Sequence, residues 1–239
     1  MKAVVQTVPR PDFSRPDVGV VMASTWRVGT PERQRAAVDA IAEAWRSRDW
    51  PAVGLLSYTV HIGTEGETLF HYSQWTDEGA YHEFVRTYRD DRNAEIDAAV
   101  PGIERVALHA YAPYRAVDTG KDAVPGCVVV VDAEFDGSDA AAPRTFVDLV
   151  LDALATDPAP APGGIAAHFH VGTDGTDGTR MLNYAEWETE EAHIEAMAAP
   201  GRGVGSGTPQ WDAVLAFPGV TGDSVRRYVP ALSLAPGLS

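Results

Sequence analysis

The chain has 239 residues and a formal net charge of −15 at pH 7, with 45% hydrophobic and 22% charged residues. This composition is typical of a globular protein with a sizeable core. The acidity argues against binding to nucleic acid or to a membrane, because anionic phosphates are bound by clustered Lys and Arg. The single cysteine, Cys127, excludes an internal disulfide and a cysteine-rich zinc site. No apolar run of about 18 residues and no secretory leader is visible, so we expect a cytoplasmic location.

The sequence repeats itself once. The segment His61–Gly66 reads His-Ile-Gly-Thr-Glu-Gly, and His170–Gly175 reads His-Val-Gly-Thr-Asp-Gly. Downstream, each copy has a tryptophan followed by polar residues and an alanine, at Trp75 and Ala80 and again at Trp187 and Ala192. The spacing from the histidine to the tryptophan is longer in the second copy, because of an insertion in the turn 173–179. Matches in one order along the chain predict a duplicated module.

The first copy begins with an apolar, β-branched run and alternates strands with helices. The cap signal Thr30-Pro31 predicts a helix start, and apolar residues then recur at helical spacing. The predicted elements are strand Val18–Val28, a helix from Thr30, strands Val53–Ile62 and Thr68–Trp75, a helix from Thr76, and strand Ile103–Tyr114.

The second copy gives the same order after a linker, Val117–Pro125. Loops rich in Pro or Gly are predicted at 158–162 and 201–209. The predicted elements are strand Cys127–Phe135, helix Ala141–Ala155, strands Ile165–Val171 and Arg180–Glu188, helix Glu190–Ala199, and strand Val220–Tyr228.

Each copy therefore has the order β-α-β-β-α-β of a ferredoxin-like module, which predicts the α+β class. Such a sheet carries helices on one face only, and a second sheet can cover the other. We expect two modules, residues 1–118 and 119–239, to pack face to face as an intramolecular dimeric α+β barrel. Further association into a homodimer is left open.

The third strand of each module, ending in Trp and followed by polar residues, Ala and a helix, resembles the antibiotic biosynthesis monooxygenase (ABM) superfamily. Tandem modules of this kind are similar to oxygenases of aromatic polyketide pathways. In anthrone-type members, the resemblance implies an Asn four residues before the Trp. Asn183 and Trp187 match that spacing, whereas the first module has His71 before Trp75.

The resemblance implies that Asn183 and Trp187 hold the oxygen species, with His170 or His168 moving a proton. A second site is predicted at His71, Trp75 and His61. Candidate substrate contacts beside them are Tyr184, Phe169, Met181 and Tyr72. Purely structural roles for these side chains are the alternative, and no metal site is expected.

The expected activity is oxidation of a polycyclic aromatic polyketide by O₂. The electrons would come from the deprotonated substrate without a cofactor, or from reduced flavin (FMNH₂ or FADH₂) supplied by a flavin reductase. Two alternatives stay open on the same fold, a non-oxidative polyketide cyclase or isomerase and a non-catalytic small-molecule-binding module.

Overall fold

The computed structural model describes residues 2–157, 161–173, 178–201, 203 and 206–237. Two compact units divide the chain, one of residues 1–110 and 228–239 and the other of residues 111–227. The elements in chain order are β1 (Ala3–Val5), β2 (Val20–Arg27), α1 (Pro31–Arg46), β3 (Leu55–Gly63), β4 (Thr68–Trp75), α2 (Glu78–Thr87), α3 (Arg89–Ala99), β5 (Glu104–Asp118), β6 (Cys127–Phe135), α4 (Ala142–Thr156), β7 (Gly164–Gly172), β8 (Arg180–Trp187), α5 (Glu190–Ala198), α6 (Pro209–Leu215) and β9 (Val220–Pro236).

The first unit has the strand order β1-β9-β3-β4-β2-β5, with the last part of β9 and the first part of β5. Strand β4 lies between β3 and β2 and is antiparallel to both. Helices α1, α2 and α3 belong to this unit, and its core contains Ile41, Trp45, Phe84 and Ile96 from them.

The second unit has the strand order β5-β7-β8-β6-β9, with the last part of β5 and the first part of β9. Strand β8 lies between β7 and β6 and is antiparallel to both. In each unit the four module strands follow the order second, third, first, fourth, which is the order of a ferredoxin-like sheet. The α+β class is confirmed. The module boundary after residue 118 and the barrel packing stay predictions.

Side-chain caps start α1, α2 and α5 close to where the sequence signals placed these helices. The Thr30 hydroxyl accepts a hydrogen bond from the Arg33 amide at 3.3 Å. The helices that follow the two tryptophans begin alike, because Asp77 accepts from the Ala80 amide at 2.9 Å and Thr189 from the Ala192 amide at 3.1 Å. Each cap satisfies an amide that has no partner within its helix.

A glycine with positive φ packs against the start of each of these helices. Gly54 has φ +79°, and a Cβ added to it would lie 3.0 Å from the Ala80 Cβ. Gly163 has φ +86°, and its added Cβ would lie 2.6 Å from the Ala192 Cβ. A side chain at position 54 or 163 would therefore be strained by the positive φ and would crowd the alanine that begins the helix.

Several elements differ from the sequence prediction. Strand β1 and helices α3 and α6 were missed, and β9 continues to Pro236 instead of ending at Tyr228. Strand β5 continues to Asp118, into the predicted linker. The predicted loops and the turn contain residues 158–160, 174–177, 202, 204 and 205, which lie outside the described residues. In the described part of the chain, no helix has the length and apolarity to span a membrane.

Candidate active site

The sheet of the first unit separates the residues predicted for its site. In antiparallel pairing, directly opposite residues share a face. His71 lies opposite Val60 and Ser24, and Trp75 lies on the same face of β4, which is the face that packs on the helices. His61 lies opposite Phe70 on the other face, which it shares with Tyr72. The structure therefore brings His71 and Trp75 together and places His61 and Tyr72 elsewhere.

A cavity of about 370 Å³ lies between that face and the helices of the first unit. Its volume is within the range of sites for small organic ligands. Six aromatic residues contribute to its walls, namely Trp26, Trp45, Tyr58, Trp75, Tyr81 and Phe84. Polar groups are few, and the most enclosed of them belong to His71 and Arg92. This lining suits a flat, apolar ring system that carries a small number of oxygen atoms.

His71 is fixed in the cavity wall by Tyr58 and Trp26. Its Nδ1 atom lies 2.7 Å from the Tyr58 hydroxyl, and its ring packs on Trp26 with a centroid separation of 4.2 Å. Its Nε2 atom is buried and has no hydrogen-bond partner among the described residues. An unpartnered buried nitrogen costs free energy, so a ligand that pairs with it is favoured.

Burial sets the protonation state of this pair. Loss of hydration lowers the pKa of His71 to about 3, with further lowering by His61 and Arg105. Burial also raises the pKa of Tyr58. Near neutral pH both groups are therefore uncharged. A buried phenol needs an acceptor, and Nδ1 of His71 is the acceptor in reach, so Nε2 then carries the proton and is a donor.

Trp75 has its indole N–H already engaged. It donates to the Ser73 hydroxyl at 2.8 Å, which in turn donates to the Met22 carbonyl at 3.3 Å. The ring packs edge-on against Tyr81 with centroids 5.3 Å apart and an interplanar angle of 81°. Trp75 therefore shapes the wall and holds Ser73, and its N–H is not free for an oxygen ligand.

Three arginines line the cavity, although the chain as a whole is acidic. Arg92 is 3% exposed and donates to the carbonyls of Tyr88 and Asp49 at 3.0 and 2.9 Å. Arg105 lies over the Trp26 ring at 4.6 Å and pairs with Asp97 at 2.9 Å. The third is Arg89. Asp97 is the one carboxylate in the lining, so the cavity has an excess of positive charge.

The sheet of the second unit also separates its predicted residues. Asn183 lies opposite Phe169, and Met181 lies opposite Val171, on the face that carries Trp187. His168 lies opposite Tyr184, and His170 lies opposite Leu182, on the other face. The predicted set of Asn183, Trp187, His168 and His170 is therefore not brought together. The contact prediction is split likewise, with Phe169 and Met181 on one face and Tyr184 on the other.

The surroundings of Asn183 are apolar. Its strand neighbours are Val131 and Phe169, and its Oδ1 atom is buried without a hydrogen-bond partner among the described residues. Trp187 is half-buried and packs edge-on against His193 at 4.9 Å. Burial lowers the pKa of His193 to about 4, and Arg227 donates to its Nδ1 at 2.9 Å.

The histidines on the other faces are deeply buried. Burial lowers the pKa of His61 and of His170 to about 4. His168 lies 3.8 Å from Glu186, whose side chain is fully buried. Among the described residues, no group of three His, Cys, Asp or Glu side chains is placed to hold a metal ion.

Sequence reasoning missed Tyr58, Trp26, Arg92 and Arg105 as parts of the cavity. The turn between β3 and β4 held a usable signal for Tyr58, because its length sets the register that puts Tyr58 opposite Ser73. Arg92 and Arg105 had no such signal. They reach the cavity from α3 and from the start of β5, which only the tertiary structure brings to this face.

The comparisons with known proteins rest on structure alone. No protein-family model and no curated protein matches the sequence. An anthrone oxidase-like protein superposes with a TM-score of 0.70 at 16% identity, covering 93% of this chain and 95% of that one. The chain shares the fold of that protein.

Two further structures show how widely this fold is used. A proposed monooxygenase from Fusobacterium nucleatum subsp. nucleatum has a TM-score of 0.58 at 9% identity, over 92% of this chain and 97% of that one. A dye-decolorizing peroxidase from Bacteroides thetaiotaomicron has a TM-score of 0.55 at 12% identity, over 94% and 95%. The fold is thus common to monooxygenase-like proteins and to a peroxidase, and the chemistry must be argued from the site.

Proposed function

We propose that the chain is an ABM-type oxygenase that oxidises a polycyclic aromatic polyketide with O₂ in the cavity of the first unit. The observation that carries the proposal is the cavity itself, about 370 Å³ between sheet and helices, walled by aromatic rings and holding the unpartnered Nε2 of His71. The likeness in fold to an anthrone oxidase-like protein supports it.

The reaction class that fits this lining is oxidation of a ring CH₂ group flanked by aromatic rings. The substrate loses a proton to solvent at the open side of the cavity and forms an enolate, which passes an electron to O₂. Recombination of the substrate radical with superoxide, followed by return of the proton, gives a carbon-bound hydroperoxide. Loss of water from the hydroperoxide leaves the ketone, so substrate and O₂ give ketone and water. No further reductant is needed, so this route would use no cofactor.

The side chains of the cavity have defined parts in this proposal. The aromatic walls exclude water and hold the rings, and His71 donates from Nε2 to a substrate oxygen. A histidine whose pKa is about 3 is a weak base, so His71 orients the substrate rather than removing its proton. The positive charge of the arginines favours the enolate and thereby eases proton loss.

The first experiment is oxygen consumption by the pure chain with anthrones, naphthols and angucyclinones, with and without reduced flavin. Uptake without flavin supports the cofactor-free reaction. Uptake only with flavin and a reductase places the chain with flavin-assisted oxygenases. Substrate conversion under nitrogen would instead identify a cyclase or isomerase, and binding without conversion would identify a binding module.

The sequence prediction that Asn183 and Trp187 hold the oxygen species would place the reaction in the second unit, and it is the alternative to this proposal. Because His168 and His170 lie on the other face of the sheet, they cannot serve the same ligand from this strand register. Retained activity in Asn183→Ala would remove the second unit from the reaction.

A further inference from the structure

The cavity of the first unit is lined by a buried positive charge, that of Arg92, and the neighbouring carboxylates of Asp91 and Glu95 lie beyond ion-pair distance from it. Arg92 is 3% exposed, and both of its described hydrogen bonds go to uncharged backbone carbonyls, those of Tyr88 and Asp49. It makes no ion pair among the described residues, and its Nε atom is buried without a hydrogen-bond partner there. Its guanidinium lies over the Trp45 ring, 4.7 Å from the ring centre, and makes a cation–π contact with it.

A buried, uncompensated guanidinium is expensive. Taking an ion out of water costs free energy, and a protein that leaves the ion without an opposite charge recovers little of it. Burial correspondingly lowers the pKa of Arg92 from its ordinary value, and the neighbouring Arg48 lowers it further. A ligand that brings a negative charge to the cavity would recover part of that free energy.

A second arginine and a histidine add donors to the lining. Arg105 reaches the cavity with its fork of donors paired to Asp97 at 2.9 and 3.2 Å, and both side chains are partly exposed. Such an exposed pair contributes little stability, so Arg105 can exchange Asp97 for another carboxylate at small cost. The donor at His71 Nε2 adds a neutral partner for an anionic oxygen. Donors therefore outnumber acceptors around the space.

We propose that the cavity takes an aromatic acid, a fused-ring substrate whose carboxylate is ionised at neutral pH and is bound by Arg105 and Arg92. This inference rests on the proposed function only in taking the cavity as the substrate site. The rings lie against the aromatic walls, and the carboxylate lies toward the guanidinium groups. The acidic chain thus selects an acidic ligand through a local reversal of charge.

The test compares two ligands that differ only in charge. Binding of 1-hydroxy-2-naphthoate and of the neutral isostere 1-hydroxy-2-naphthamide to the full chain is measured by titration calorimetry, at neutral pH and without oxygen. We expect the acid to bind at least about tenfold more tightly, the scale of one charge-assisted bidentate contact. Equal affinities for acid and amide would overturn the proposal.

A matched pair of variants locates the effect. Arg105→Gln should weaken binding of the acid about tenfold and leave the amide unchanged. Arg115→Gln is the control, because Arg115 has a similar ion pair with Asp148 at 2.8 Å but does not line the cavity. Equal loss in both variants would also overturn the proposal. Arg92→Lys, which keeps the charge, tests the buried cation where Arg92→Gln fails to fold.

The outcome is separable from that of the oxygenase assay. Selective binding of the acid with no oxygen uptake by any substrate would uphold this inference and reject the proposed function. Oxygen uptake with neutral substrates, together with equal binding of acid and amide, would do the reverse.

Discussion

The two units carry different side chains on equivalent strand positions. In the first, His71 lies opposite Ser24, and Tyr58 lies opposite Ser73. In the second, Asn183 lies opposite Val131, and the partner of Ala185 is Ala167. A phenol hydrogen-bonded to an imidazole, with serine hydroxyls beside them, forms the wall in the first unit, where the second has an amide among apolar groups.

What the units share is the frame around these positions. Each has a tryptophan at the end of the third strand with an aromatic ring packed edge-on against it at 81°, Tyr81 in the first and His193 in the second. The comparison shows that the two units share the packing of the helix on the strand end, while the polar groups that face the helices differ between them.

The largest expected effect concerns the two tryptophans. Trp75 is 2% exposed and hydrogen-bonded, whereas Trp187 is half-buried. Trp75→Ala should lower the free energy of unfolding by about 3–5 kcal/mol, and Trp187→Ala by about 1–2 kcal/mol. Urea unfolding followed by circular dichroism measures both. Equal losses would mean that the two tryptophans are equally important to packing.

The second prediction separates the units by activity. His71→Leu removes the donor at the cavity wall and should reduce kcat/KM for oxygen uptake about 100-fold, the usual cost of one preorganised donor. Asn183→Leu is the matched variant and should change it less than about twofold. A collapse of activity in Asn183→Leu with activity kept in His71→Leu would move the site to the second unit.

The third prediction concerns acid stability. The folded-state pKa of His71 is about 3, below its unfolded value, so the unfolded chain binds the extra proton as the pH falls. The contribution of His71 to stability is thus complete above about pH 6.5 and is lost toward pH 3, at up to about 1.4 kcal/mol per pH unit. His71→Leu should flatten the dependence of unfolding free energy on pH between 6.5 and 4.5. The exposed residue variant His82→Gln is the control, and an unchanged slope in His71→Leu would contradict the burial of the imidazole.

The smallest expected effect comes from exchanging the residues at matching strand positions, Ser73 in the first unit and Ala185 in the second. Ser73→Ala gives the first unit the residue that the second has at Ala185, and leaves the Trp75 indole N–H without its acceptor. We expect a loss of about 1 kcal/mol in unfolding free energy. The reciprocal Ala185→Ser should not give a matching gain if Trp187 is oriented differently. A gain of similar size, measured in the same urea assay, would show that the two walls are interchangeable.

The sequence predicted the framework well because its signals are local. Strands β4 and β6 begin and end where the alternation and the apolar run placed them, and the Thr30 cap starts α1. Helix α3 was missed because most of its residues are polar and only Arg92 and Ile96 are buried. The packing of those two residues positions the helix, and no local sequence pattern predicts this packing.

The site was harder to predict, because side chains along a strand alternate between the two faces of the sheet and a shift of one residue moves each of them to the other face. Alternation shows that residues 168 and 170 share one face of their strand and that residues 183 and 187 share one face of the next strand. Whether these two faces are on the same side of the sheet depends on the pairing register, which alternation does not give. The bulge between Gly164 and Ala166 helps to set that register in β7. The cavity also depends on Arg105 and Arg92, which come from distant elements.

The contact between Gly54 and Ala80, and its counterpart between Gly163 and Ala192, changes what the tryptophan signature means. The alanine of that signature lies against a glycine whose backbone leaves no room for a Cβ of its own, whatever reaction the protein performs. A signature of this kind marks an architecture, and it will persist in copies whose chemistry has been lost or replaced. Under the proposed function, the residues at the positions of Tyr58 and His71 are a better guide to activity than this signature is.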